Sequence, residues 1–540
     1  MGRRVSHLII APLVIIAAIL AVYFQTLHYP FVFDDYYYIV DEARVKTLSG
    51  FWPSSGTRYF GFLTFALNYH FGGLDAFGYH IVNTAIHAAN SLLVFGLLLL
   101  IFRTPFMEAQ SDTKVRGLGF AVALSSALLF AVHPVNTQAV TYITQRFASL
   151  ATLFYLLSIT AYIRARLVDW GWRSCLFLAI SVLAAACAMK TKEISFTLPF
   201  MIALVEFAFF TGPLRERLIW IGSIALTLLI IPLSKIDGTP PPAIAEEAST
   251  RAEYLFTEFR VIVTYLRLLV FPVDQALDYD YRSYTSFLAA PVIASFLFLA
   301  SIFSAGVYLI TRKSLLRLCG FGILWFFLAI SIESSVIPLL RDFIFEHRVY
   351  LPGVGAFVAF STLVFFGISK SRLPFAITAV AAIAIFSAPL AAAAYQRNLV
   401  WKTAIGVWED SVAKHPEKAR SRYNLGSLYA EEGRMADAKR EFEKALEIRP
   451  SFSRPHNNLG NIYYSEGRFE EAAEEYRLAA EFDQENVEAL YNLGNVYMVL
   501  GRRGEAIAAF TKFIEKASSE FDQQKREAKE SIRQMGGRQE

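Results

Sequence analysis

The chain has 540 residues, 55% hydrophobic and only 18% charged, with a mean hydropathy of +0.40. That balance excludes an ordinary water-soluble protein and fits a chain that crosses a bilayer repeatedly. A net charge of +4, scattered over short loops, excludes nucleic-acid binding as its main work.

The start, "MGRRVSHLIIAPLVIIAAILAVYF", pairs basic residues with an apolar stretch longer than a signal core and without a small-residue cleavage site. It reads as a retained first span whose arginines stay in the cytoplasm. "FVFDDYYY", residues 31–38, then falls outside, with Asp34 and Asp35 side by side among aromatics. Two readings are open. The pair is either solvated loop charge at a helix entry, or a carboxylate that takes a proton from an acceptor hydroxyl. In the second reading its neighbour raises its pKa or helps hold a divalent ion. Phe31, Phe33 and Tyr36 to Tyr38 would exclude water and stack on a sugar or headgroup.

Apolar stretches of spanning length recur near 8–26, 80–102, 117–133, 147–165, 173–190, 193–211, 216–236, 255–272, 288–311, 317–338, 351–368 and 373–393. Cys175, Cys187 and Cys319 lie in such runs without metal-ligand spacing. The early basic loops (Arg103, Lys114, Arg116; Arg164, Arg166, Arg173; Arg215, Arg217) fit a cytoplasmic face. "TRKSLLR" (311–317) and "SKSRLP" (369–374) fit it only if 255–272 does not cross. That stretch carries Glu253, Glu258, Arg260 and Arg267, so it is expected to be interfacial or re-entrant. About 11 crossings remain, and the C-terminus lies outside.

Polar residues collect on that outer face. "YHIVNTAIHAAN" places His80, Asn83, His87 and Asn90 on one helical stripe facing the bundle, where His87 and Asn90 suit interhelical hydrogen bonds. "HPVNTQAVTYITQR" puts His133 and Arg146 at the outer interface, and "MKTKEISFTLP" adds Lys190, Lys192 and Glu193. "EHRVYLP" adds Glu346, His347, Arg348 and Tyr350. An acidic pair with several cations at one membrane surface suits a sugar–phosphate linkage, since leaving phosphate needs cations and an acceptor hydroxyl needs a base.

The C-terminal third changes character. In "EKARSRYNLGSLYAEEGRMADAKREFEKALEIRP" 15 of 34 residues are charged, so this part is water-soluble. Asn424, Asn458 and Asn492 are spaced by 34, each followed by Leu-Gly and then Tyr429, Tyr463 or Tyr497. Ala438, Ala472 and Ala506 follow, with Phe442, Tyr476 and Phe510 four residues later. That period of small and large residues is the tetratricopeptide signature. Ala404, Trp408 and Pro416 form a degenerate half-repeat before it, with almost no Gly/Ser linker, so the array is expected to be held rigidly.

Together these motifs resemble the transmembrane and tetratricopeptide-repeat-containing glycosyltransferases, a family of protein O-mannosyltransferases and bacterial relatives, over nearly the whole chain. The resemblance implies an all-α GT-C membrane bundle at 1–393 and a connecting helix with a half-repeat at 394–416. It further implies three repeats at 417–518 and a capping helix with tail at 519–540. It implies transfer of a sugar from a polyprenyl-phosphate donor to an extracytoplasmic protein, with the repeats binding acceptor or partner. Asp34 or Asp35 becomes the catalytic carboxylate, and Arg146, Lys192 and Arg348 the donor-phosphate ligands. His80, His133, Glu193, Glu346 and His347 support them. No cofactor is fixed, and a divalent metal stays open. A bacterial inner membrane with periplasmic repeats is expected. A lipid-linked glycan ligase or polymerase, or a non-catalytic scaffold for envelope assembly, are the rival readings; a transporter would show paired inverted repeats.

Overall fold

The structure is a computed structural model that describes residues 2–51, 56, 58–110, 113–236, 250–334 and 343–536. All regular structure among them is helical, and the chain forms two compact units. Residues 1–277 and 281–403 make the first, and 278–280 with 404–540 the second.

The first unit is an integral membrane helix bundle. Eight described helices are long and apolar enough to cross a bilayer, or nine if the pair Gly117–Val132 and Pro134–Thr141, bent by 52°, counts as one span. The bend has a local cause: Pro134 has no N–H to donate, and His133 before it is extended at φ −73°, ψ 131°. Two expected crossings are shorter. The 193–211 stretch is a 3₁₀ turn, Glu193–Thr197, leading into the 12-residue helix Leu198–Phe209. The 317–338 stretch is the 15-residue helix Leu316–Ile330, and its end from 335 lies outside the described residues.

The charged 255–272 stretch is one uninterrupted helix, Arg251–Val270, and not a re-entrant hairpin. Thr250 caps it by accepting from the Glu253 N–H. Tyr254, Glu258, Val261, Tyr265 and Leu268 recur at helical spacing and are all buried. The face that carries Glu258 therefore points into the protein, while Arg267 is exposed. The bundle core runs through Ile15, Ile19, Leu129, Tyr155, Ile159, Val205, Phe321, Trp325 and Val354. Where Leu316–Ile330 crosses Tyr350–Lys370, a Cβ on Gly322 would stand 2.4 Å from the Gly355 carbonyl, so only glycine allows the approach.

The second unit is an α-solenoid of antiparallel helix pairs. Each pair turns at a glycine in the left-handed region, Gly433, Gly467 or Gly501 at φ 75°, 74° and 71°. Inside each pair an aromatic lies on a glycine: Phe442 on Gly426, Tyr476 on Gly460, Phe510 on Gly494. Ala438, Ala472 and Ala506 are fully buried beside them.

Candidate functional site

The segment from His133 to Arg146 is the platform of the site. It is almost wholly buried, yet its polar groups reach in several directions. Three loops hang on it: 31–38, 343–349 and the chain near Gln275.

The two aspartates do different jobs. Asp35 is 1% exposed; it accepts from the Val32 N–H at 3.0 Å, the Thr144 N–H at 2.7 Å and the Thr144 hydroxyl. Burial pushes its carboxyl up to about 7, opposed by those hydrogen bonds, and Asp34 adds the weakest effect. The expected mutual repulsion is thus minor beside desolvation. Both Asp35 oxygens are taken, so it is a brace between loop and platform. Asp34 is half-buried, and its N–H donates to the Tyr142 hydroxyl at 3.0 Å. Phe33 just before it sits at φ 51°, and Tyr36–Val40 form a π-helical turn just after. Such strain in a bulky residue persists only where surroundings impose it, and it sets the direction in which Asp34 is presented. Tyr36 and Tyr37 are exposed, while Phe31 is buried.

Arg146 does not occupy the open position expected of a phosphate ligand. It is fully buried, and its Nε donates to Asn83 at 2.6 Å. Nη1 donates to Asn68 at 2.6 Å and Thr64 at 3.3 Å, and Nη2 to the Tyr79 carbonyl at 2.9 Å. The guanidinium also lies over the Phe65 ring, 4.6 Å from its centre. Its donors are committed to tying the Tyr59–Gly72 and Ala76–Ile101 helices together.

Lys192 and Arg348 are buried too, but with acids. Lys192 Nζ lies 2.6 Å from Glu333. Arg348 Nη1 donates to the Phe343 carbonyl at 2.8 Å and reaches Tyr254 Oη at 3.4 Å, with Glu258 at 3.8 Å. Tyr254 in turn donates to the Glu333 carbonyl at 2.8 Å. Burial pushes the Glu258 carboxyl up to about 7, with Arg348 opposing.

The supporting residues divide. His347 is joined to Gln138 by its N–H at 2.8 Å and by ring Nδ1 at 3.2 Å, and it feels Lys192, Arg348 and Arg58. Glu346 accepts from Gln275 at 2.6 Å, and Gln275 also donates to the Pro134 carbonyl at 3.1 Å. His133 caps the bend, its Nδ1 accepting from the Val135 N–H and its Nε2 facing the Leu269 carbonyl. His80 faces the Tyr29 carbonyl at 3.1 Å. Both are packing histidines. Glu193 is half-buried at the start of its 3₁₀ turn. His87 and Asn90 join their helix to Tyr350 and to the Ala131 and Ser149 carbonyls, the interhelical role their stripe implied. Among the described residues no group of three or more His, Cys, Asp or Glu side chains is placed to hold a metal ion.

Sequence reasoning missed several contributors. Gln138, Tyr142 and Thr144 lie inside a quoted motif, where the step of four from 138 to 142 was the available signal. Glu258 was visible only as a charge in an apolar helix, and Glu333 carried no pattern at all. Arg58, half-buried with its guanidinium 5.2 Å from the Phe147 ring centre, is a further cation near His347.

Models of the tetratricopeptide repeat match residues 419–452, 460–501 and 487–519. Protein O-mannosyl-transferase F38B6.6 of Caenorhabditis elegans is 25% identical over 402 residues, 72% of this chain and 53% of that protein. Protein O-mannosyl-transferase TMTC3 of Mus musculus is 25% identical over 81% of this chain and 51% of its own length. TMTC4 of Homo sapiens reaches 34% over 30% of this chain and 24% of its own. The chain is similar in sequence to these protein O-mannosyl-transferases. It spans about half the length of the worm and mouse homologues. ArnT from Cupriavidus metallidurans, solved bound to undecaprenyl phosphate, aligns over 94% of this chain and 80% of its own at 14% identity. The TM-score of that alignment is 0.39.

Proposed function

We propose that the chain is a GT-C type membrane glycosyltransferase that moves a sugar from a polyprenyl-phosphate donor to a protein on the extracytoplasmic side. The observation that carries this reading is the pairing of a half-buried Asp34, presented by a strained turn, with two acid-countered cations: Arg348, on a loop hung on the same platform, and Lys192, whose field reaches His347 on that loop. The name shared by the homologues supports a hydroxyl acceptor.

In this reading Asp34 takes the proton of an acceptor hydroxyl as its oxygen attacks the sugar carbon. The bond from that carbon to the phosphate oxygen breaks, and polyprenyl phosphate leaves with one more negative charge. Lys192 and Arg348 answer that charge, while Asp35 keeps Asp34 in place. Residues 1–393 carry the chemistry. The repeats at 417–518 receive the acceptor or a partner, with 394–416 as connector and 519–540 as cap. We place the N-terminus in the cytoplasm and the repeats in the periplasm of a bacterial inner membrane.

Purified full-length protein is incubated with polyprenyl-phosphate sugars and candidate acceptor proteins, with mass spectrometry of the acceptor as readout. Asp34→Asn is nearly isosteric but cannot take the proton, so it should lower turnover about a hundred- to ten-thousand-fold with donor affinity unchanged. Wild-type turnover in Asp34→Asn removes the base assignment. Absence of transfer from every lipid-phosphate sugar removes the reading itself.

A further inference from the structure

Lys192, Arg348, Glu258 and Glu333 form a buried group of two cations and two carboxylates, and the two pairs are unequal. Lys192 and Glu333 are in tight contact at 2.6 Å, whereas Arg348 and Glu258 stand 3.8 Å apart. Glu258 is fully buried and neither of its oxygens has a hydrogen bond of good geometry, although the Tyr254 and Ser334 hydroxyls approach it. A buried ionised carboxylate held this loosely is costly, because nothing replaces the water it gave up. Among the four, Glu258 gains most from taking a proton.

The charge count gives this a consequence. With both carboxylates ionised the group is neutral and offers an anion nothing. With Glu258 neutral it carries one positive charge, which matches the single charge of a phosphodiester. Accepting on the polyprenyl-phosphate reading above, we propose that this cluster is the donor's phosphate site, and that the phosphodiester binds by displacing Glu258 from Arg348 as Glu258 takes up one proton. Glu258 and Glu333 are then anionic place-holders that keep two buried cations satisfied while the site is empty.

The groups facing Glu258 limit who else could hold that proton. Its own helix contributes Tyr254 and Tyr265; Arg348 comes from the turn at 346–349. Glu333 and Ser334 come from the segment after Leu316–Ile330, and Tyr281 from the loop after Val270. The tyrosines and arginines keep their protons across the neutral range. Among the described residues, Glu333 and His347, which faces Lys192 and Arg348, are the other groups to separate from Glu258 by experiment.

The test measures binding of a polyprenyl-phosphate hexose to the purified full-length protein between pH 5.5 and 8.5. A phosphodiester keeps its charge over that range, so any slope belongs to the protein. Affinity should be level at the acid end and fall toward tenfold per pH unit above about 7. Glu258→Gln, which mimics the protonated side chain, should bind at the acid-end affinity at every pH. A flat wild-type profile overturns the proposal without recourse to any variant. A Glu258→Gln profile that keeps the slope overturns it too, by placing the proton elsewhere. Failure to bind the donor at any pH instead overturns the donor reading on which the proposal rests.

Discussion

In the membrane unit Glu206 is fully buried, its carboxylate held by the Tyr162 hydroxyl at 2.8 Å and gripped by the fork of Arg166 at 2.9 and 3.1 Å. In the repeat unit Glu474 stays 56% exposed and meets Arg477, three residues on, at 2.7 Å. Arg434–Asp437 and Arg468–Glu471 repeat the second arrangement. The geometry of the pairs is alike and their surroundings are opposite. Water replaces a lost partner at the surface, and nothing does so inside the bundle. A count of ion pairs would rank the repeats as the electrostatically held unit. Burial ranks them the other way.

The strongest way to break this contrast is Glu206→Gln. It leaves Arg166 and Arg217 beside a neutral group, and it should cost about 3–5 kcal/mol, the range for removing one partner of a buried pair. Thermal unfolding in detergent reads the loss, and a shift no larger than that of a surface variant would void the comparison. Asp35→Asn comes next. Its amide would set an N–H against the Val32 or Thr144 donors, so about 1–3 kcal/mol should go, with proteolysis near residues 31–40 rising before global unfolding.

Between the extremes stands one pair of repeats. Arg422 donates to the Pro416 carbonyl at 2.6 Å and to Glu441 at 2.8 Å. One period on, His456 faces the Pro450 carbonyl at 2.9 Å and Glu475 at 2.6 Å. Both partners accept, so the ring copies the arginine only when both nitrogens carry protons. Burial works against the charged ring, but Glu475 and the Pro450 carbonyl outweigh it and raise its pKa. A raised folded-state pKa gives stability that is complete below the unfolded value near 6.5 and is lost as pH climbs through the folded one. Protection against hydrogen exchange, taken relative to the base-catalysed intrinsic rate, should therefore fall in the Ser453–Ser465 and Phe469–Phe482 helices from about pH 6.5 upward, while that of Ala419–Glu431 holds. His456→Arg should abolish the difference. Equal pH response in both repeats would count against the arginine analogy.

The smallest effect belongs to Arg477→Ala, expected to change stability by no more than about 0.5 kcal/mol. A loss comparable to that of Glu206→Gln would show that exposure is the wrong yardstick.

Periodic features were legible from the sequence because spacing alone encodes them. The 34-residue step marked Gly426, Phe442 and the fully buried Ala438, Ala472 and Ala506 as repeat positions, and the structure adds that Phe442 lies on Gly426 inside one helix pair. The charges in 255–272 set that helix apart from the apolar spans, and it is not among the helices apolar enough to cross. Long-range pairing has no such signature. Nothing near Lys192 in sequence points to Glu333, and nothing near Arg146 points to Asn68 and Tyr79. Charge and predicted side grouped Arg146 with Lys192 and Arg348, whereas one is enclosed by neutral acceptors and the others face acids. Asp34 and Asp35 looked interchangeable until Thr144 chose one of them.

The enclosure of Arg146 has an electrostatic consequence. Asn83, Asn68, Thr64 and the Tyr79 carbonyl satisfy its hydrogen bonds without cancelling its charge, and Asp35 is the acid whose field reaches it. A buried guanidinium of this kind acts at a distance, as a standing positive potential beneath the Asp34 turn. Ions in solution cannot approach it closely enough to screen it well. The pull that this face exerts on an anion should thus persist at high ionic strength, where attraction due to surface lysines and arginines would fade.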